Sequence, residues 1–352
     1  MLKLEPRQTT PHALNVGLPL VAIAATLLLG SLLIGLSGAN VLDAYAVLFA
    51  SALGGRTGLT ETMVKAAPMI FTGLAVAVAF RARFWNIGAE GQLLAGAVAS
   101  AWIGAFPMPA PLAWIAMALA GAAAGAGVAM IPAVLRVNFK VDDVVSSLLL
   151  NSIVFYAVMA LIEGPWKDPM SGYPISPPIE DDANFPVLLA GTRLHLGVLA
   201  AVVAAGAVWF LMTRTTLGFA IRVTGENAAA ARYGGVPVGR IILLTAALSG
   251  GLAGLAGVGE VGGVHFQVMS DLSPGFGYSG IVIAMLARLS PLGVVPAAIF
   301  FAVVMTGAEA MSRATGVPVF LADVLQGIAL LAMLVALLFT SYRLRRVRGV
   351  AA

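Results

Sequence analysis

The chain has 352 residues, of which 60% are hydrophobic and only 10% are charged. Soluble domains have about 25% charged residues, so this composition excludes an ordinary soluble protein and indicates a helical protein that crosses a membrane several times. The absence of cysteine excludes disulfides, thiolate metal sites and cysteine catalysis, and three scattered histidines build no local metal site.

Apolar segments predict ten membrane-spanning helices, most with about 20 apolar residues, enough to cross a core of ~30 Å. In chain order they are 16–37, 59–80, 86–106, 111–135, 141–162, 195–213, 238–260, 276–288, 291–309 and 318–340. Glycines four residues apart predict close helix contacts at Gly121 and Gly125, Gly250 and Gly254, and Gly259 and Gly263. The expected fold is all-α, a polytopic transmembrane bundle forming a single domain over residues 1–352.

The basic residues orient these spans. Of the 20 lysines and arginines, fifteen fall on one side of the ten-span arrangement, four fall on the other and Lys65 lies within a span. Positive charge concentrates on the cytoplasmic side of membrane proteins, so both termini are predicted to be cytoplasmic. The net charge of +4 is distributed as in a membrane protein, and no nucleic-acid partner is expected.

The stretch Phe84–Gln92, Phe-Trp-Asn-Ile-Gly-Ala-Glu-Gly-Gln, places polar side chains and glycines at the mouth of the third span. Polar groups at membrane depth are costly and are usually kept for function. We therefore expect a passage for a polar solute here. Its candidate lining residues, with others from two later segments, are Phe84, Trp85, Asn86, Glu90, Gln92, Asn151, Phe276 and Tyr278.

Two loops are distinctive. The outer loop 163–194 is rich in proline and acidic residues, which indicates a stiff surface that is either simply solvated or a docking face for an external partner. The cytoplasmic loop 214–240 predicts a short helix that starts at Thr224 or Gly225, continues through alanines and ends at Gly234 and Gly235. Such a helix is either a rigid peg between two spans or an incidental feature of a basic loop.

A second glycine-rich start, Ser273–Gly280, opens the eighth span from the outer side. It lies five spans after the start of the third span, and an odd offset reverses orientation. Matching interruptions of this kind are typical of 5+5 inverted repeats with a site near the membrane midplane. The alternative is two ordinary glycine-rich helix starts.

The sequence lacks the G-x-x-x-x-G-K-[ST], G-x-S-x-G and H-E-x-x-H motifs. We therefore expect no catalytic residue, no metal and no cofactor in this chain. A membrane enzyme or scaffold is a further alternative, but the sequence contains no set of catalytic residues that supports it. An ion-coupled secondary transporter, with Glu90 binding the ion, is a further alternative.

Several stretches carry a family resemblance, and they agree in order along nearly the whole chain: Phe71–Phe80 with Asn86–Gln92, Val141–Asn151, Gly225–Gly234, Ser273–Gly280 and Asp323–Gly327. They resemble the inner-membrane permease of bacterial ABC importers. The nucleoside (Bmp-associated) branch of the branched-chain amino acid/ribose permease superfamily is the most similar. Trp85 and Asp142-Asp143 depart from the pattern of that branch.

The resemblance implies a permease subunit in the bacterial inner membrane that imports nucleosides, with a sugar or a branched-chain amino acid as the alternative solute. ATP and Mg would be bound by a separate ABC ATPase, docked on a coupling helix that includes Gly225, Glu226, Asn227, Ala231, Tyr233 and Gly234. An extracytoplasmic solute-binding protein would deliver the solute. A second, homologous permease would complete a heterodimeric pore.

Overall fold

A computed structural model describes residues 2–6, 12–318 and 342–346, together with positions 320, 321, 324, 327, 328, 331, 332, 335, 336 and 339. It divides into two compact units, one of residues 1–58 with 303–352 and one of residues 59–302. The structure is predominantly helical, as the hydropathy pattern predicts. The tenth predicted span, 318–340, lies partly outside the described residues, and its described positions from 320 on are helical.

The smaller unit contains the two ends of the chain. Helix α1 (His12–Leu36) is followed by α2 (Val41–Leu53), and strand β1 (Leu2–Pro6) pairs antiparallel with β2 (Tyr342–Arg346). The apolar pattern predicts a connection over residues 38–58, whereas the structure has helix α2 there. Asn40 Oδ1 caps α2 by accepting from Leu42 N at 3.0 Å, and residues four apart on one face of the helix are buried. The cluster packed on that face includes Ile34, Ala44, Leu48, Met311 and Val317.

In the described part of the chain, ten further α-helices lie wholly or partly in the larger unit. They are α3 (Gly55–Arg81), α4 (Ala89–Gly104), α5 (Ala110–Phe139), α6 (Asp143–Glu163), α7 (Leu196–Arg214), α8 (Thr216–Glu226), α9 (Ala228–Tyr233), α10 (Val238–Glu260), α11 (Phe276–Leu286) and α12 (Pro291–Thr315). Helices α3 and α12 cross the boundaries between the units. One π-helical turn, Val261–His265, extends α10.

Six of the described helices are long and apolar enough to cross a membrane: α3, α5, α6, α7, α12 and α10 with its π-helical turn. Two predicted spans are shorter in the structure. Helix α4 has 16 residues and α11 has 11. At 1.5 Å per residue α11 is roughly 16 Å long, about half of a hydrocarbon core. Both begin after an irregular segment, as the glycine-rich starts predict.

Small residues allow α4, α5 and α10 to pack backbone against backbone. A Cβ atom added at Gly125 would overlap the Gly250 carbonyl, and one added at Gly254 would overlap the Gly121 carbonyl. The contacts predicted for these four glycines are therefore confirmed. The third predicted pair differs, because Gly259 has open space around it whereas Gly263 packs against the ring of His195.

The loop 163–194 folds back over the ends of α4 and α10. Glu180 N donates to Gly104 O at 2.9 Å, and Phe185 N donates to Gly262 O at 2.7 Å. Ser176 exchanges backbone and side-chain hydrogen bonds with Val268, each 2.9 Å long. The prolines and these bonds together give the loop a defined path, with the acidic residues of the short turn Asp181–Ala183 at its surface.

Candidate functional site: two broken helix starts that meet

The segment between α3 and α4 is irregular, and side chains of α6 hold it in place. Trp85 N donates to Asp143 Oδ2 at 2.6 Å, and Ile87 N donates to Ser147 Oγ at 3.1 Å. Asp143 also pairs with Arg136, whose guanidinium donates to Arg83 O at 2.7 Å. Backbone groups that a continuous helix would satisfy internally therefore find side-chain partners on α5 and α6.

Asn86 and Gln92 form a closed amide pair. Asn86 Nδ2 donates to Gln92 Oε1 at 2.9 Å, and Gln92 Nε2 donates to Asn86 Oδ1 at 2.8 Å. Asn86 Nδ2 also donates to Ser249 Oγ on α10 at 2.9 Å. Both amides are almost completely buried. The pair satisfies its own polar atoms and joins the start of α4 to α10.

Asn151 caps α4 from a neighbouring helix. Its Oδ1 accepts from Gly91 N at 2.9 Å, and its Nδ2 donates to Ile87 O at 2.9 Å. A longer contact of 3.4 Å joins Nδ2 to the Tyr278 hydroxyl. Helix α4 has no capping side chain at Gly88, so Asn151 supplies a partner for one of its free N–H groups.

Glu90 joins the starts of α4 and α11. Its Oε2 accepts from Gly277 N at 2.6 Å, and a Cβ at Gly277 would overlap the backbone of Glu90. Gly275, which stands at the N-cap of α11 two residues before Gly277, has φ of 93°, a conformation that glycine adopts freely. Thr72 Oγ1 donates to Phe276 O at 2.9 Å from α3. The Glu90 carboxylate therefore lies where the positive ends of two helix dipoles converge.

The four aromatic candidates divide by exposure. Phe84 and Phe276 are buried, and the guanidinium of Arg136 lies 5.9 Å from the centre of the Phe84 ring. Trp85 is 42% exposed and Tyr278 is 43% exposed, so these two rings are accessible. Trp85 also packs edge-on against Phe80, with ring centres 4.7 Å apart.

The helix predicted within the loop 214–240 begins later in the structure than the sequence predicts. Thr224, Gly225 and Glu226 form the end of α8, and the short helix α9 starts after Asn227. Asn227 Oδ1 accepts from the backbone N–H groups of Ala229 and Ala230, each at 3.0 Å. The predicted end is confirmed, because Gly234 follows the last helical residue.

The candidate coupling residues also differ in accessibility. Tyr233 is 98% exposed, whereas Ala231 and Gly225 are buried. A Cβ at Gly225 would overlap the carbonyl of Arg81 at the end of α3. Glu226, Asn227 and Gly234 are exposed. Gly225 is therefore a packing residue, and the accessible surface is that of α9.

The structure adds partners of the site that the sequence pattern does not reveal, namely Thr72, Arg136, Asp143, Ser147 and Ser249. Thr72, Asp143 and Ser147 lie inside the stretches that carry the family resemblance, which is the available signal. Ser249 stands one residue before the glycine stripe of α10, where a polar side chain faces other helices. Among the described residues, no group of His, Asp and Glu lies close enough to hold a metal ion.

Comparison with known proteins gives a consistent result. Residues 58–334 match the family described as branched-chain amino acid transport system / permease component. The glucose ABC transporter permease TsgB13 of Haloferax volcanii is 36% identical over 97% of this chain and 93% of its own length. The guanosine ABC transporter permease NupP of Bacillus subtilis is 35% identical over 94% and 95%. No solved structure matches the chain.

A further relative is the nucleoside ABC transporter permease NupB of Lactococcus lactis, which is 32% identical over 86% of each chain. The family match over residues 58–334 includes both broken helix starts.

Proposed function

This chain belongs to the branched-chain amino acid transport system permease family, and from that premise we propose that it is the permease of an ATP-driven nucleoside importer. The observation that carries the proposal is the family match over residues 58–334. It agrees with a multi-pass protein of the plasma (inner) membrane, whose described part includes six long apolar helices.

Nucleosides are the proposed solute because relatives named for guanosine and nucleoside transport align with most of the chain. The pathway runs past the starts of α4 and α11. The exposed rings of Trp85 and Tyr278 stack on the base, a contact worth about 1–3 kcal/mol in nucleic-acid complexes. Phe84, Phe276, Asn86, Gln92 and Asn151 shape this region from within, and Glu90 fixes the distance between the two helix starts.

The two starts support a repeat of opposite orientation. Glu90 and Gly277 are 187 residues apart in sequence, yet the helices that begin beside them meet end to end. Discontinuous helices that converge in this way are typical of transporters built from inverted repeats. The pairing of β1 with β2 agrees with termini on one side of the membrane, which the basic residues identify as cytoplasmic.

Other subunits provide ATP hydrolysis, solute capture and the second half of the pore. An ABC ATPase docks on α9 and its flanking residues in the loop 214–240, and Tyr233 is its most accessible contact. ATP and Mg bind in that subunit. A solute-binding protein contacts the loop 163–194, and a second homologous permease completes the pore as a heterodimer. In this arrangement the present chain forms a single functional permease domain.

A sugar permease is the second candidate, because a glucose permease relative is 36% identical over 97% of this chain. The two solutes present different chemistry. A nucleoside offers an aromatic base for Trp85 and Tyr278 together with ribose hydroxyls, whereas glucose offers hydroxyls and an apolar sugar face.

Reconstitution of the complex in proteoliposomes tests the proposal. We expect Mg-ATP to drive uptake of labelled guanosine, and excess unlabelled glucose to leave that uptake unchanged. Uptake of glucose in place of guanosine would support the sugar permease. Uptake that does not require ATP and stops when an ion gradient is dissipated would contradict the ABC importer.

A further inference from the structure

We propose that Arg81 is a positioning residue that links the α8–α9 loop to helix α11, and so transmits ATPase movement to the Glu90 contact. The inference rests on the proposed function in one respect, namely that the ATPase docks on this loop. Three groups of contacts carry it, all within residues 59–302.

The first contacts join Arg81 to the end of α11. Arg81 Nε donates to Leu289 O at 3.3 Å, and its Nη2 donates to Arg288 O at 3.4 Å. Both acceptor residues have positive φ, 52° at Arg288 and 56° at Leu289, in the turn between α11 and α12. One planar guanidinium therefore holds two adjacent carbonyls, a geometry that the ammonium group of lysine does not reproduce.

The second contact joins Arg81 to the docking loop. The Arg81 carbonyl lies directly against Gly225 in the last turn of α8, where there is no room for a Cβ atom. The next helix, α9, begins two residues after Glu226 and is capped by Asn227. A displacement of this loop therefore presses on the end of α3 at the residue whose side chain holds the α11 turn.

The third contact lies at the other end of α11. Gly277 N donates to Glu90 Oε2 at 2.6 Å, and Gly275 at the N-cap provides a left-handed turn before the helix. Helix α11 has only 11 residues, so it behaves as a short rigid element held at both ends. Packed elements of this kind carry coupling between distant sites. Movement at Arg81 then reaches the start of α4 through one helix.

The test measures how many ATP molecules are hydrolysed for each guanosine imported by the reconstituted complex. We expect Arg81→Ala to raise this ratio by roughly 2- to 30-fold, the range produced by mutations along a coupling route. Arg81→Lys keeps the positive charge but not the planar guanidinium that donates to both carbonyls, so an intermediate ratio is expected. Arg288→Ala is the matched control, because it removes a charge at the same turn and keeps the accepting carbonyl.

An unchanged ratio of ATP hydrolysed to guanosine imported in Arg81→Ala would overturn the proposal. This holds whether both rates stay the same or fall equally, because a merely structural residue lowers both together. If Arg81→Ala does not assemble, Arg81→Lys provides the test. A wild-type ratio in that variant would contradict a role for the two hydrogen bonds that the guanidinium donates.

A second readout needs no solute and so separates this inference from the choice of nucleoside. The chain has no cysteine, so Ala229→Cys on α9 and Tyr278→Cys on α11 can be introduced together and each carry one spin label. Trapping the ATPase with Mg-ATP and vanadate should change the distance between the labels, and Arg81→Ala should abolish that change. An identical change with and without Arg81 would contradict the link, whereas absence of guanosine import alone would contradict only the proposed solute.

Discussion

The start of α4 and the start of α9 are both short polar stretches served by an asparagine, yet they use it differently. At α4 the asparagine is Asn151 from another helix, and the surrounding amides are buried. At α9 the cap is the helix's own Asn227, and the neighbouring Tyr233 is almost fully exposed. Buried polar groups find partners inside the protein, whereas the exposed helix keeps an accessible surface.

This contrast predicts that changes at the α4 start alter the stability of the permease, whereas changes at α9 alter its association with the ATPase. The variants below run from the largest expected effect on stability to the smallest.

Gly277→Ala should have the largest effect, because the added methyl group overlaps the Glu90 backbone. Overpacking of this kind costs about 1–3 kcal/mol. Gly127→Ala is the matched control, since it lies on α5 with nothing within 4 Å of an added Cβ. Thermal unfolding in detergent, followed by gel filtration, should show a lower midpoint for Gly277→Ala alone. Equal midpoints would contradict the close approach of α4 and α11.

Asn86→Leu and Gln92→Leu should each leave a buried amide without its partner, at a cost of about 1–3 kcal/mol. The double variant removes both members of the pair, so its cost should be less than the sum of the single costs. Unfolding by denaturing detergent measures the three variants. Additive costs would show that the two amides act independently.

Asn227→Ala should loosen α9 without affecting the rest of the molecule, because loss of an N-cap costs about 0.5–2 kcal/mol of helix stability. Amide exchange at Ala229 and Ala230 should accelerate by roughly 2- to 30-fold, the corresponding change in the opening equilibrium. Asn227→Ser restores a capping oxygen and should exchange at nearly the original rate. Unchanged exchange in the alanine variant would mean that the cap does not hold α9.

Tyr233→Ala should change permease stability least, within about 0.5 kcal/mol, because the side chain is 98% exposed. Its effect should instead appear as weaker co-purification of the ATPase. Tyr173→Ala in the loop 163–194 is a matched control, since that tyrosine is 76% exposed and is predicted to lie across the membrane. If both variants retain the ATPase equally, α9 is not the docking surface.

Much of the helical architecture could be predicted because it depends on local chemistry. Continuous apolar runs identify the long spans, Gly234 marks the end of α9, and the glycine-rich stretches mark the late starts of α4 and α11. Helix α2 was not predicted because its 13 residues are too few for a membrane span, and the pattern of long apolar runs leaves them as a connection. Its N-cap is nevertheless a local signal, because Asn40 Oδ1 accepts from Leu42 N and Asp43 N, only two and three residues later.

The sequence by itself determined that this is a membrane permease and which polar residues are unusual in it. Only the tertiary structure decided what those residues do. Asn151 and Gly91 are 60 residues apart, and Glu90 and Gly277 are 187 apart, so hydropathy and spacing say nothing about their pairing. The physical reason is that an apolar interior penalises a buried polar group that lacks a partner, and the packing of distant helices determines which partner is within reach.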